Sequence, residues 1–312
     1  MKSKFTKFFI SLTALLLTLV GLIFAQNEQD AYRVETFQTS SSPNVEIATS
    51  GGYVHVFGHN SDEVKVIMIA KRGRRFLSPS DTDLSDFEIE IEKSGDSIIA
   101  SAKRENTGMS RWFSGNNNIS ISFEVYMPSG ANVKGRTSGG SVKAENLRNG
   151  VELRTSGGSV SANNVHGVSV LRTSGGSVTL NDMNGTISAR TSGGAIRADR
   201  LLGEAELRTS GGSIRIQDSD AKLTARTSGG SIRAYFTDFR NDIDLRTSGG
   251  SIQIEIPSSD HFDLDLTGNR VVTELRNFTG TSERNKITGR IGNGGPLISA
   301  RTSGGSVSLQ YN

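Results

Sequence analysis

The sequence predicts an all-β fold: a parallel single-stranded β-solenoid, of the β-helix or β-roll type, with 18-residue coils and irregular N-terminal coils. Three observations predict it: a pentapeptide that returns at a fixed spacing, apolar residues at every second position around it, and a composition that cannot fill a broad globular core. Only 34% of the residues are hydrophobic and 6% are aromatic, whereas compact domains are about 45–50% apolar. A narrow, stacked core fits this composition.

The pentapeptide is Arg-Thr-Ser-Gly-Gly, and it occurs eight times. It begins at Arg136, Arg154, Arg172, Arg190, Arg208, Arg226, Arg246 and Arg301. Five of the seven spacings are 18 residues, one is 20 and the last is 55. A fixed period shorter than about 50 residues indicates a solenoid or a related array.

Apolar and polar residues alternate on both sides of each pentapeptide. In the first unit, Val142 and Ala144 follow the Gly-Gly pair, and Val151 and Leu153 precede the next arginine. A period of two is typical of a half-buried strand. Each unit therefore predicts two short strands, separated by Gly-Gly at one end and by a second glycine-containing corner at the other. Identical turns in register favour stacked coils, with about 4.8 Å per coil, over the alternative of a meander of antiparallel hairpins.

The repeat and its flanks divide the chain into four segments. They are a signal peptide at residues 1–25, an irregular β-rich part of the solenoid at 31–135, the regular repeats at 136–256, and an excursion with the final repeat and a cap at 257–312.

The first segment has the three parts of an export signal. Lysines precede an apolar run from Phe8 to Phe24, and Ala25 ends it before a polar stretch. We expect cleavage after Ala25, with an uncleaved signal anchor as the alternative. The predicted location is therefore outside the cytoplasm, in the periplasm or at the cell surface and extracellular.

Charge and cysteine content exclude two classes of protein. The three lysines of the first 25 residues account for the whole excess of 35 Lys and Arg over 32 Asp and Glu. A nucleic-acid-binding protein is not expected, because such a protein keeps a basic excess in its folded part. The chain contains no cysteine, so it has neither a disulfide framework nor a lipid-modified N-terminal cysteine.

Alternation places the arginine and the serine of each pentapeptide on the outer face and its threonine in the interior. In stacked coils the in-phase arginines then form an outward row. The candidate stripe for an anionic ligand is Arg136, Arg154, Arg172, Arg190, Arg208, Arg226 and Arg246. The same-face acids two places upstream are only Glu152, Glu206 and Asp244. Guanidinium groups bind carboxylate or phosphate through paired hydrogen bonds; the alternative is a solvated face on which arginine stems merely cover the sheet.

No catalytic, cofactor-binding or metal site is predicted, and we expect a protein that is not an enzyme. A polysaccharide-active β-helix enzyme needs clustered carboxylates or a metal on one face, and no acidic position persists from coil to coil. His55 and His59, near Asp62 and Glu63, leave a metal site open as an alternative to ordinary surface residues. Calcium is not expected, because the aspartate that follows Gly-Gly in calcium-binding β-rolls is missing.

Three further features of the sequence are the strand Ile119 to Pro128, the repeated Thr-Ser-Gly-Gly-Ser-Val/Ile, and the segment Asn293 to Ile298. Together they resemble the bacterial putative-adhesin family of unknown function, which is related to the head GIN domain adhesins. The resemblance covers most of residues 31–312. It implies an exported β-solenoid with an adhesin-like or envelope-stress role and no catalytic residues. The chain departs from the family's pattern in the arginine that begins nearly every unit.

The resulting expectation is an exported, non-enzymatic, adhesin-like binding or scaffold protein that uses no cofactor. Its expected partner is an anionic polysaccharide or envelope polymer, or else an envelope protein. The alternative function is an envelope-stress sensor or regulator that docks a membrane protein. Contact with the membrane is then expected only through an uncleaved N-terminal segment.

Overall fold

The computed structural model describes residues 30–81, 84–104, 118–238, 240–258 and 261–311. The predicted signal peptide lies outside these residues. The described residues form 25 strands, which pair into one continuous sheet, and they include no α-helix. Within these ranges no helix is therefore available to span a membrane. The predicted all-β class is confirmed.

The strands fall into three groups along the chain. The N-terminal strands are β1 (Arg33–Gln38), β2 (Asn44–Thr49), β3 (Val54–His59), β4 (Glu63–Arg72), β5 (Arg75–Leu77), β6 (Phe87–Ser94), β7 (Ser97–Arg104) and β8 (Ile119–Pro128). The repeat strands are β9 (Asn132–Thr137), β10 (Val142–Leu147), β11 (Val151–Arg154), β12 (Val160–Arg172), β13 (Val178–Arg190), β14 (Ile196–Arg208), β15 (Ile214–Gln217), β16 (Asp220–Arg226), β17 (Ile232–Tyr235), β18 (Ile243–Thr247) and β19 (Ile252–Ile256). The C-terminal strands are β20 (Phe262–Thr267), β21 (Arg270–Val272), β22 (Phe278–Ser282), β23 (Lys286–Ile291), β24 (Leu297–Thr302) and β25 (Ser306–Tyr311).

Successive repeats pair in parallel, with a register of one 18-residue unit. Val160 of β12 lies opposite Val178 of β13, which lies opposite Ile196 of β14. This pairing confirms the parallel β-solenoid and shows that the hairpin meander is wrong for the repeats. One detail differs from the prediction, because the two expected strands of a unit join into a single 13-residue strand in β12, β13 and β14.

The second corner is a bend within these strands because one residue of each coil adopts a left-handed backbone conformation. The residues with φ between 49° and 59° at this corner are Asn146, Asn164, Asp182, Arg200 and Asp218. Asn and Asp adopt this conformation more easily than other residues with side chains. Arg200 is held there by Asp182 of the preceding coil, whose carboxylate accepts hydrogen bonds of 2.6 and 3.0 Å from its Nε and Nη2.

The inward side chains of the coils form one continuous core, mostly of Val, Ile, Leu and Ala with a few Met and Phe. The threonine of each pentapeptide is buried beside this core. Thr173 Oγ1 donates to the carbonyl oxygen of Gly158 in the preceding coil at 2.7 Å and accepts from the Gly176 amide at 3.2 Å. The predicted inward position of threonine is confirmed, and its hydroxyl joins each coil to the one before it.

The order of the coils in the stack differs from their order in the chain at both ends. At the N-terminal end, β2 pairs with both β7 and β9, and β3 pairs with both β8 and β10. At the other end, β24 pairs with both β18 and β20, and β25 pairs with both β19 and β21. The antiparallel strand β23 pairs with β20 and β22 beyond them. The last pentapeptide, at Arg301, is thereby inserted next to the seventh.

Candidate functional site

The outward arginines of the pentapeptides form an uninterrupted row, here called the arginine row. Its members are Arg136, Arg154, Arg172, Arg190, Arg208, Arg226, Arg246 and Arg301. Each lies opposite the next across the parallel sheet, so the structure brings together all seven residues of the predicted stripe. The eighth, Arg301, was missed because its spacing of 55 residues breaks the period; the recurrence of the pentapeptide was the signal that could have placed it. Seven steps of about 4.8 Å make the row about 34 Å long.

The arginine row lines one side of a groove with a volume of about 1110 Å³. Pentapeptide serines line the other side, and the buried threonines lie between them. The groove serines are Ser156, Ser174, Ser192, Ser210, Ser228, Ser248 and Ser303. All seven are exposed, and within the described part of the chain no hydrogen bond engages the hydroxyl of any of them. The groove therefore offers guanidinium donors along one side and free hydroxyls along the other.

Carboxylates on the same face bridge arginines of neighbouring coils. Glu152 Oε1 lies 3.2 Å from Arg136 Nη2 and 2.9 Å from Arg154 Nε. The same arrangement occurs twice more, in Arg190 with Glu206 and Arg208, and in Arg226 with Asp244 and Arg246. Hydrogen bonding from Arg190 holds the pKa of the Glu206 carboxyl below its usual range. Each acid predicted on this face is thus shared between two arginines.

Arg172 is the one member of the row that has no acidic partner among the described residues. Residues that lie opposite one another in successive coils form a column along the stack. In the column that contains Glu152 and Glu206, the two coils between these acids have Val170 and Ser188. The last member, Arg301, pairs with Asp265 of β20. Eight arginines thus face four carboxylates, and the row keeps a formal excess of four positive charges.

The two histidines considered for a metal site have different surroundings. The His55 ring lies 4.3 Å from the Tyr53 ring and 6.5 Å from the Phe57 ring, centroid to centroid. His59 Nδ1 accepts a hydrogen bond of 3.1 Å from the amide of Ser61. Among the residues that the structure describes, no three His, Cys, Asp or Glu side chains are grouped to hold a metal ion.

His55 should make the stability of the fold depend on pH. Burial, followed by the positive charge of Lys143, lowers the pKa of His55 to about 4, against about 6.5 in an unfolded chain. The stability that depends on a neutral His55 is therefore complete above pH 6.5 and is lost as the pH falls toward 4, by about 3 kcal/mol. Urea unfolding at pH 7 and pH 4.5 should show a smaller loss for His55→Gln than for the wild type. Equal losses would show that this histidine does not titrate with folding.

Comparison with known proteins gives matches of two kinds. A family model described as Toastrack DUF4097 matches residues 22–310. Similar solved structures include putative adhesins from Parabacteroides merdae, at 11% identity and a TM-score of 0.43 over 89% of this chain and 95% of that chain, and from Bacteroides fragilis, at 11% and 0.40 over 90% and 96%. A putative lipid binding protein from Parabacteroides distasonis is 14% identical, with a TM-score of 0.40 over 90% of this chain and 96% of that chain. Among curated proteins no match is found.

Proposed function

The chain belongs to the Toastrack DUF4097 family, and we propose that it is an exported, non-enzymatic, adhesin-like protein that binds an anionic envelope polymer along its arginine row. The observation that carries the proposal is the groove in which eight arginines with an excess of positive charge face seven free serine hydroxyls. Export rests on the predicted signal peptide at residues 1–25. The proposed location is the periplasm or the outside of the cell.

The chemistry of the groove suits an acidic polysaccharide. Each guanidinium has five N–H donors, so an arginine that shares one carboxylate with its neighbour keeps donors for a second acid. Serine hydroxyls both donate and accept, as the hydroxyls of a sugar require. One arginine and one serine recur in each coil, so a linear polymer can make the same contacts repeatedly.

The length of the groove favours a polymer over a small molecule. A site of about 34 Å with one similar contact set every 4.8 Å or so has no single point of convergence. A chain that binds through several such contacts gains affinity from each additional contact, because later contacts form within the complex. Modest individual contacts are therefore sufficient.

The carboxylates beside the groove support a binding role over catalysis. Glu152, Glu206, Asp244 and Asp265 are all paired with arginines of the row. A general acid in glycoside hydrolysis needs a raised pKa, whereas the pKa of Glu206 is lowered. Glu206 is consequently held ionised, and all four acids are placed as counter-ions of the row.

Arg172→Gln tests the proposal at one residue. Its guanidinium is not used by a carboxylate, so its loss should weaken binding to polygalacturonate about tenfold, the scale of one hydrogen bond to a charged group at roughly 1.5 kcal/mol. The matched control is Arg136→Gln, which removes the same charge at the end of the row from an arginine already paired with Glu152, and should cost less than about threefold. Titration calorimetry with polygalacturonate measures the affinities of both variants, and dextran serves as the neutral control polymer. Unchanged binding of Arg172→Gln would refute the proposed role of the row.

A further inference from the structure

Three consecutive coils carry a second set of arginines, here called the arginine triad: Arg197, Arg215 and Arg233. Arg197 of β14 lies opposite Arg215 of β15, which lies opposite Arg233 of β17. All three are exposed. They stand on the strands that follow the Gly-Gly corner, whereas the arginine row precedes it. The triad and the row therefore lie on different faces of the same coils.

The triad has no ion-pair partner among the described residues. Arg215 donates from Nε to Gln217 Oε1 at 3.2 Å, and its guanidinium lies 5.3 Å from the centroid of the Tyr235 ring. The only acid in the neighbouring column of these coils is Asp199, which pairs with Arg200 of the corner.

An earlier coil shows how the same two columns look when the charge is neutralised. There, Lys143 stands in the column of the triad and Glu145 stands in the neighbouring column. Their Nζ and Oε1 atoms are 2.6 Å apart. In the coils of Arg215 and Arg233, the position of that glutamate is taken by Gln217 and Tyr235. The lack of a counter-ion is thus a property of the triad coils and not of the column.

Three like charges in adjacent strands repel one another, because direct neighbours in a sheet are only about 4.8 Å apart. The row relieves this repulsion with bridging carboxylates, and the triad does not. Hydroxyl groups flank the triad, since Ser213 and Ser231 stand two places before Arg215 and Arg233. The guanidinium groups of the triad are therefore available to the carboxylates of an acidic polymer, as that of Arg172 is in the groove.

We propose that the arginine triad is a second binding site for an acidic polymer, so that one molecule bridges two polymer chains on two of its faces. This inference rests on the proposed function of the arginine row. Bridging gives an adhesin-like protein a physical means of cohesion, because a protein with two sites links chains into a network whereas a protein with one site only coats them.

The test separates binding from bridging. The protein is mixed with polygalacturonate at low salt; binding is measured by titration calorimetry, and network formation is measured by light scattering over a range of protein-to-polymer ratios. The triad variant is Arg197→Gln, Arg215→Gln and Arg233→Gln. The matched control, Arg270→Gln, Arg284→Gln and Arg290→Gln, removes the same charge from exposed arginines of the C-terminal strands and their loop. We expect the triad variant to keep its affinity for the polymer within about threefold and its scattering to fall at least fivefold, while the control scatters like the wild type.

Four other results would contradict one or both proposals. Wild-type binding without an increase in scattering would overturn the bridging proposal and leave the function of the row intact. A triad variant that scatters like the wild type would overturn it equally, as would a control that loses as much scattering as the triad variant. A wild type that does not bind the polymer at all would overturn both proposals.

Discussion

Gly194→Ala should strongly destabilise the solenoid. A Cβ atom at this position would lie 2.0 Å from the carbonyl oxygen of Gly176 in the preceding coil. That oxygen belongs to backbone, and it also accepts the hydroxyl of Thr191 at 2.8 Å. It cannot retreat without opening the spacing of the stack, since the interior is close-packed. We expect a loss of about 3 kcal/mol in the free energy of unfolding, at the upper end of overpacking effects.

The neighbouring glycine provides the control. At Gly193 an added Cβ would meet its nearest atom, the carbonyl oxygen of Gly175, at 3.5 Å, which is an ordinary contact. Gly193→Ala should therefore leave the free energy of unfolding within about 0.5 kcal/mol of the wild type. Urea unfolding followed by circular dichroism measures both variants. Equal stabilities of the two would contradict the stacking geometry of the second glycine.

Alternation of apolar and polar residues was sufficient to predict the regular part of the molecule. Because side chains in a strand point alternately to its two faces, an inward Leu171 puts Arg172 outside, Thr173 inside and Ser174 outside, and the structure agrees at each position. The columns of the stack follow from the 18-residue register alone. Seven of the eight arginines of the row could therefore be identified from the sequence.

The ends of the stack could not be predicted in the same way. Local periodicity identifies strands, but it does not identify the partner of a strand that leaves the array and returns. β24 enters between β18 and β20, and this pairing adds Arg301 to the row and brings Asp265 beside it. Both residues lie in or after the segment that breaks the period, so sequence spacing gave no reason to place them at the site.

The sharing of carboxylates was also beyond the sequence. Glu152, Glu206 and Asp244 were identifiable as acids on the face of the row, yet which arginines they pair with depends on side-chain conformation. Each bridges two coils. Arg172 has no bridging acid, because Val170 and Ser188 occupy the two positions from which a carboxylate could reach it. The distinction between paired and free arginines therefore required the structure.

The second large effect concerns binding. The variant with alternate arginines changed, Arg136→Gln, Arg172→Gln, Arg208→Gln and Arg246→Gln, leaves four arginines against four carboxylates and so removes the whole charge excess of the row. Binding to an acidic polymer should fall about a hundredfold or more at low salt, because each released counter-ion contributes to affinity. The opposite change, Glu152→Gln, Glu206→Gln and Asp244→Asn, frees six arginines and should strengthen binding. A variant pair that moves affinity in opposite directions excludes misfolding as the cause.

Co-sedimentation of the protein lacking residues 1–25 with insoluble envelope material, at low and at high salt, is the most direct test of polymer binding by the row. The predicted result is that the wild type sediments at low salt and is released at high salt, that the alternate-arginine variant stays in solution, and that the variant lacking the three acids sediments up to a higher salt concentration. Sedimentation of the alternate-arginine variant to the same extent as the wild type, or the absence of sedimentation of the wild type at any salt, would contradict it.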